Sequence, residues 1–216
     1  MPKKLLVVID FEATCDEGPD QPGVGGKGTV EPRSEIIEIG AAMLSLPSLE
    51  WAQAELETQR TFQTFVKPKN NGTLSAFCKN LTHIGQEDVD NAPSFPDANI
   101  KMFAWMTRFG MMDDILFCSW GRYDMSQMKL DCELNQAPYV FDNAHLNAKT
   151  YACAVFNTGR VRGLKRVLAK VGMPFEGTPH RAVSDALMTA KLLQRAGYKE
   201  EWAMRDGLTY EKKRGC

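Results

Sequence analysis

The chain has 216 residues, 26 of them Lys or Arg and 27 Asp or Glu, for a formal net charge of −1 at pH 7. That length suits one α/β domain, and a charge so near zero excludes a global electrostatic footprint for nucleic acid, so any polyanion must be met locally. With 44% apolar and 25% charged residues the composition is that of a soluble globular protein, and no apolar run approaches the length of a membrane span.

The start, Met1 to Lys4, leads into a short apolar run that carries acids and no small-residue cleavage site. A secretory signal is not expected, and the cytoplasm is the expected compartment. The six cysteines, at 15, 78, 118, 132, 153 and 216, show no Cys-x-x-Cys pair and no zinc-ligand spacing. They read as scattered thiols, and no neighbouring base marks Cys15 as a nucleophile.

The first element is "LLVVIDFEATC", Leu5 to Cys15. Five consecutive apolar residues, three of them β-branched, predict a strand covered on both faces, yet Asp10 and Glu12 follow directly. Strand side chains alternate, so the two acids point the same way, about 6–7 Å apart along the strand. The repulsion between them is relieved by a raised pKa, a basic partner or a metal ion, and oxygen-only ligands suit Mg²⁺ or Mn²⁺. In isolation an Asp-x-Glu pair also fits a solvated strand end, so further acids and a base must decide.

Asp16 to Arg33 is rich in Gly and Pro and reads as a long loop. Its Gly23, Gly25 and Gly28 spell G-x-G-x-x-G, but a dinucleotide fingerprint follows a strand and opens a helix, whereas this one follows "PDQP". Lys27 is followed by Gly28, which also removes a P-loop reading. Two more strands are expected at Glu35 to Leu46 and Thr61 to Pro68, with Trp51 to Gln59 as connector. Short helices follow, then a longer one with Phe95, Ala98, Met102, Trp105 or Met106, and Phe109 at helical spacing, a stripe that reads as core. A fourth strand is expected at Asp114 to Trp120, a helix at about Tyr123 to Leu134, and a short fifth strand at Asn143 to Ala148. From Lys149 to Arg195 the chain reads as helical, with Arg160, Arg162, Lys165, Arg166 and Lys170 on a solvated face. Three strands, then helices alternating with strands, imply a mixed five-stranded sheet flanked by helices. Residues 1–197 are expected to form one domain and 198–216 a tail.

Two further acids stand at suggestive places. Asp124, in "SWGRYDMSQM", follows the fourth strand at a helix entrance, where it could equally serve the helix dipole. Asp185, in "PHRAVSDALMTAKLL", lies beside the apolar face made by Ala182, Val183, Ala186, Leu187, Ala190 and Leu193. His180 precedes that helix, while His83 and His145 have no such context.

"VVIDFEATC", "SWGRYDMSQM" and "HRAVSDALMTA" resemble the three motifs of DEDDh 3′–5′ exonucleases, with Asp10, Glu12, Asp124, His180 and Asp185 in the expected order. "EIIEIGAAML" and "LSAFCKNLTHIGQEDVDNAPSFPD" are similar to segments of the subgroup that trims histone-mRNA, ribosomal-RNA and small-RNA 3′ ends, and the likeness runs from about Lys4 to Arg195. The resemblance implies a ribonuclease H-like fold and a two-metal mechanism on Mg²⁺, with Mn²⁺ able to substitute. Asp10 would bridge the ions, Glu12 and Asp185 would complete the first metal's shell, and Asp124 would join directly or through water. His180 is then the candidate general base, because an imidazole with a pKa near 6.5 can take a proton from water at neutral pH. The resemblance further points to Ala13, Met43, Leu81 and Trp120 at the terminal nucleotide of a single-stranded RNA 3′ end, with DNA as a second substrate and nucleoside 5′-monophosphates as products. Arg122, Arg162 and Lys165 are local bases for the backbone. A DNA-proofreading exonuclease or polymerase partner, which shares the same five residues, and a non-catalytic RNA-binding module are the rival readings.

Overall fold

In the computed structural model the described residues are 3–16, 34–46, 60–142, 144–159, 163–197 and 208–210. Their strands are β1 (Leu5–Ala13), β2 (Ile36–Ser45), β3 (Thr61–Phe65), β4 (Ile115–Ser119), β5 (Ala144–Asn147) and β6 (Leu208–Tyr210), joined in one mixed sheet of order β3-β2-β1-β4-β5-β6. β1 runs antiparallel to β2 and parallel to β4, and β5 continues the parallel part. The helices are α1 (Ala76–Thr82), α2 (Gln86–Asp90), α3 (Phe95–Met106), α4 (Tyr123–Asn135), α5 (Ala148–Val155), α6 (Leu164–Lys170) and α7 (Ala182–Ala196). β1 to β5 are the five strands expected from the sequence, and this is a ribonuclease H-like arrangement. Three residues from the stretch read as a tail, Leu208–Tyr210, add to β5 as a further edge strand. Gly23, Gly25, Lys27, Gly28, the connector Trp51 to Gln59, Arg160 and Arg162 lie outside the described residues. Among the described residues no helix is long and apolar enough to cross a membrane.

Period-two alternation divides β1 between two cores. Leu5, Val7, Ile9 and Phe11 face a layer containing Ala98, Met102 and Trp105 of α3 and Met125 and Met128 of α4. Leu6 and Val8 face the opposite layer, with Tyr151 of α5 and Ala190 and Leu193 of α7. Burying each such aliphatic side chain contributes about 1.5–3 kcal/mol, so both faces of β1 are held firmly and its register is fixed.

That register fixes the site. Asp10 lies opposite Gly40 and Glu12 opposite Glu38, and then Ala13 pairs with Ile36, a slip of one residue that bulges β2 at the site's edge. Gly40 is glycine for a packing reason: a Cβ there would lie 2.1 Å from the main-chain carbon of Ala182. The missing side chain lets the start of α7 press directly onto β2.

Candidate active site

Asp10 and Glu12 prolong the row begun by Leu6 and Val8, but at the carboxyl end of β1, where the cover from α7 runs out. Ligand sites of α/β sheets gather at the carboxyl ends of parallel strands, and β4 ends beside them at Ser119. The first turn of α7 carries Asp185 to the same place. Ligand oxygens of Asp10, Glu12 and Asp185 all lie within 4.8 Å of one another. The Asp185 carboxylate accepts from main-chain amides, the His180 N–H at 2.8 Å and the Arg181 N–H. An all-oxygen set of this kind is the donor chemistry of a hard divalent cation, so the residues present fit a metal ion.

Asp124 is the second residue of α4 and is almost wholly buried. The Phe11 N–H donates to its Oδ1 at 3.1 Å, and the Ser119 hydroxyl also hydrogen-bonds it. It lines the same cavity but stands outside the three-carboxylate set.

All four acids are held above the ordinary carboxylate range. Burial is the largest cause for each; for Asp10 the charges of Asp124, Asp185, Glu12 and Glu38 add to it, and for Glu12 those of Asp185, Glu38 and Asp124. Asp124 is pushed up to about 7 and Asp185 to about 6. An acid so raised binds its proton more tightly in the native state than in the unfolded chain. Its contribution favours folding at low pH and is lost as pH climbs from the unfolded carboxylate value to the folded one. In EDTA, Asp10→Asn is therefore expected to melt above the wild type at pH 7.5, with the gap narrowing as pH falls and closing at about pH 4, the unfolded carboxylate value. A wild-type advantage at pH 7.5 would contradict the repulsion, and thermal melts at both pH values decide.

His180 is exposed and sits at φ 60°, a left-handed conformation that is costly for a residue with a side chain. Its pKa is lowered, chiefly by desolvation and then by the nearby charges of His83 and Lys165. At neutral pH the ring is uncharged and able to accept a proton. His145 is buried instead, with Nε2 2.9 Å from the Ser119 hydroxyl and its ring edge-on to Phe117. Cys15 packs against Cys78 and Ile84, and their two thiols hydrogen-bond each other.

The four acids and His180 line one cavity of about 690 Å³, with Trp120, Tyr123 and Phe175 as its aromatic wall and Lys149, Lys165 and Arg166 as its cations. The structure thus brings together Asp10, Glu12, Asp124, His180, Asp185 and Trp120. It does not bring Ala13, Met43 or Leu81 there. Met43 is a correction with a simple cause: it pairs with Val7, so it belongs to the opposite sheet face from Asp10 and is fully buried in the α3 layer. Ala13 is buried and does not line the cavity; Leu81 is half-buried on α1 and does not reach it. Arg166, read as part of a solvated face, forms part of the cavity wall, beside Lys165, which was also expected to meet the nucleic-acid backbone. Lys149, Tyr123 and Phe175 were missed. For Lys149 the signal was its place, one residue into a helix that starts directly at the carboxyl end of β5.

The Exonuclease (RNase_T) family profile matches residues 7–193. A 3′-5′ exoribonuclease 1 from Rattus norvegicus is 32% identical over 195 residues, covering 88% of this chain and 52% of the relative, so the chain spans about half the length of that protein. A probable 3′-5′ exonuclease, KapD, from Bacillus subtilis is 27% identical, covering 90% of this chain and 85% of the relative. Among solved structures, the nuclease domain of 3′hExo, a DEDDh family member bound to rAMP, superposes with a TM-score of 0.75 at 30% identity, covering 89% of this chain and 91% of that one.

Proposed function

The chain belongs to the Exonuclease (RNase_T) family, and from that premise we propose that it removes nucleoside 5′-monophosphates one at a time from the 3′ ends of single-stranded RNA. The observation that carries the reading is the convergence of the Asp10, Glu12 and Asp185 carboxylates within 4.8 Å, on the wall of a cavity that also holds His180.

Asp10, Glu12 and Asp185 would hold Mg²⁺, with Mn²⁺ as a substitute and two ions as the working number, and Asp124 would act on the site through water. When bound, such ions lower the pKa of the attacking water and stabilise charge on the leaving oxygen. The chain's own residues supply the rest. An unprotonated ring nitrogen of His180 takes a proton from the water that adds to phosphorus, the bond from phosphorus to the 3′ oxygen of the preceding nucleotide breaks, and that oxygen is protonated as the new 3′ end. Trp120, Tyr123 and Phe175 offer faces on which bases can stack without regard to sequence, worth about 1–3 kcal/mol per base. Lys149, Lys165 and Arg166 meet the phosphates, and a chain of net charge −1 that relies on a few local cations should lose affinity steeply with salt. Cys15, Cys78, Cys118 and Cys132 are free thiols, which suits a reducing compartment such as the cytoplasm.

The test is a matched set of RNA and DNA oligonucleotides ending in 3′-hydroxyl or 3′-phosphate, incubated with Mg²⁺ and resolved as product ladders. Stepwise shortening of RNA from a free 3′-hydroxyl, faster than DNA of the same sequence, is the expected result. Initial cleavage at internal positions or from 5′ ends would reject the exonuclease reading, and equal rates on DNA would reject only the preference for RNA.

A further inference from the structure

One more carboxylate stands on the sheet face of Asp10 and Glu12. Glu38 lies directly opposite Glu12 across β1 and β2 and is fully buried. A buried charge beside an acidic cluster must be neutralised or it destabilises the fold, and here the partners are all protein. Arg181 Nη2 donates to Oε1 at 2.9 Å and Arg181 Nε to Oε2 at 3.1 Å. Gln63 Nε2 donates to Oε1 at 2.7 Å and the Ala182 N–H to Oε2 at 3.0 Å. Both oxygens are engaged, which sets Glu38 apart from its neighbours as an acid without capacity left for a ligand. The guanidinium also lies over the Phe65 ring, 5.2 Å from its centroid.

These bonds fall at the start of α7. The residue preceding the helix, Arg181, makes no side-chain cap of its own, and the orphan Ala182 N–H is capped from β2 by Glu38. One turn on, the Asp185 N–H bonds the Arg181 carbonyl at 3.0 Å and the Asp185 carboxylate accepts from the His180 N–H. A continuous hydrogen-bonded link therefore runs from β2 through Arg181 and Ala182 to Asp185 and His180. Gly40 leaves α7 no room to move closer to the sheet, and Glu38 keeps it from moving away. The left-handed turn at His180 persists only where its flanks are held in this manner.

We propose that Glu38 and Arg181 act as a positioning pair that fixes the first turn of α7, keeping the Asp185 carboxylate in reach of Asp10 and Glu12 and His180 on the cavity wall. Neither residue lines the cavity, and the role rests on the metal-site reading given above. The guanidinium fork is essential to it, because only a planar bidentate donor spans both oxygens of Glu38 while its backbone starts the helix.

The test compares the wild-type chain with Glu38→Gln, Arg181→Lys and the double variant, well below the lowest melting temperature. Mn²⁺ affinity is read from the EPR signal of free Mn²⁺, and kcat and KM from a 3′-hydroxyl RNA oligonucleotide. Glu38→Gln should bind Mn²⁺ about 10–100-fold more weakly, the usual effect of removing a group that orients a ligand. Its kcat should fall about 10²-fold, as for a displacement near 1 Å, with KM little changed. Arg181→Lys should shift both quantities the same way by less, and the double variant should be no worse than Glu38→Gln, because the two residues act as a unit. If Glu38→Gln does not fold, Arg181→Lys decides alone. Variants that melt earlier but bind Mn²⁺ and turn over as wild type does would make the pair merely structural, and additive losses would break it as a unit; either result overturns the proposal. A wild type that takes up no Mn²⁺ overturns the metal-site reading and the positioning role with it, whereas a binding wild type with unaffected variants overturns the role alone.

Discussion

Asp10→Asn and Asp185→Asn are each expected to reduce nucleotide release below detection while leaving the chain folded. The amide keeps the volume and one acceptor oxygen but removes the negative charge that a divalent cation requires. Asp10 is the centre of the repulsion: burial and then the charges of Asp124, Asp185, Glu12 and Glu38 all push its pKa up. Without metal the fold gains from losing that charge, so stability should hold or rise. For Asp185 the amide oxygen can still accept the His180 N–H that the carboxylate accepts at 2.8 Å, and the turn before α7 should survive. Oligonucleotide ladders, Mn²⁺ EPR titration and thermal melts on both variants separate the outcomes. Turnover within tenfold of wild type by either one would remove it from the metal set, and a collapse of the melting temperature would recast it as structural.

The parts of the fold that were legible in the sequence are those whose signal is local. β1 reads from five apolar residues, and β2, β4 and α4 fall within a residue of their expected ends because periodicity and flanking polar residues mark them, whereas the stretch from Lys149 to Arg195, read as helical, is divided among three helices. The acids of β1 were legible for the same reason, since alternation alone places Asp10 and Glu12 on one face. Met43 failed because its face depends on the pairing of β2 with β1, and a strand read by itself does not fix its register against a partner. β6 failed because three residues carry no usable period; only its pairing with Ala144 to Leu146 defines it.

Glu38 shows a further limit. In "SEIIEIG" both Glu35 and Glu38 are buried, yet nothing in their spacing says what neutralises them. Glu35 accepts main-chain N–H groups from Lys69, Asn70 and Asn71 at 2.6 to 3.1 Å, and Glu38 takes the Arg181 fork from 143 residues away. A buried acid that becomes a ligand and one that becomes a strut look alike until the distant donors are in place. The same holds for Lys165 and Arg166, whose helix could face solvent or the cavity with equal local propensity.

His180→Ala is expected to lower kcat by about 10²–10⁴-fold, the usual contribution of a positioned general base, without weakening metal binding. The separation follows from which atoms do what. His180 supports Asp185 through its main-chain N–H, which alanine retains, whereas proton acceptance needs the ring, which alanine lacks. The φ of 60° is costly for both residues, so the substitution does not add backbone strain. In the wild type the ring's pKa lies below its ordinary value, through desolvation first and then the charges of His83 and Lys165. The base form is therefore the majority at pH 7, and the ring's contribution to the rate should be lost on the acid side of 6.5, where the ring gains its proton. Mn²⁺ titration beside single-turnover rates on a 3′-hydroxyl RNA from pH 5 to 8 gives the comparison. Near-normal turnover in His180→Ala would assign proton acceptance to solvent and leave His180 as the residue that shapes the entry to α7. A loss of Mn²⁺ affinity matching the loss of rate would instead make its effect an indirect one on Asp185.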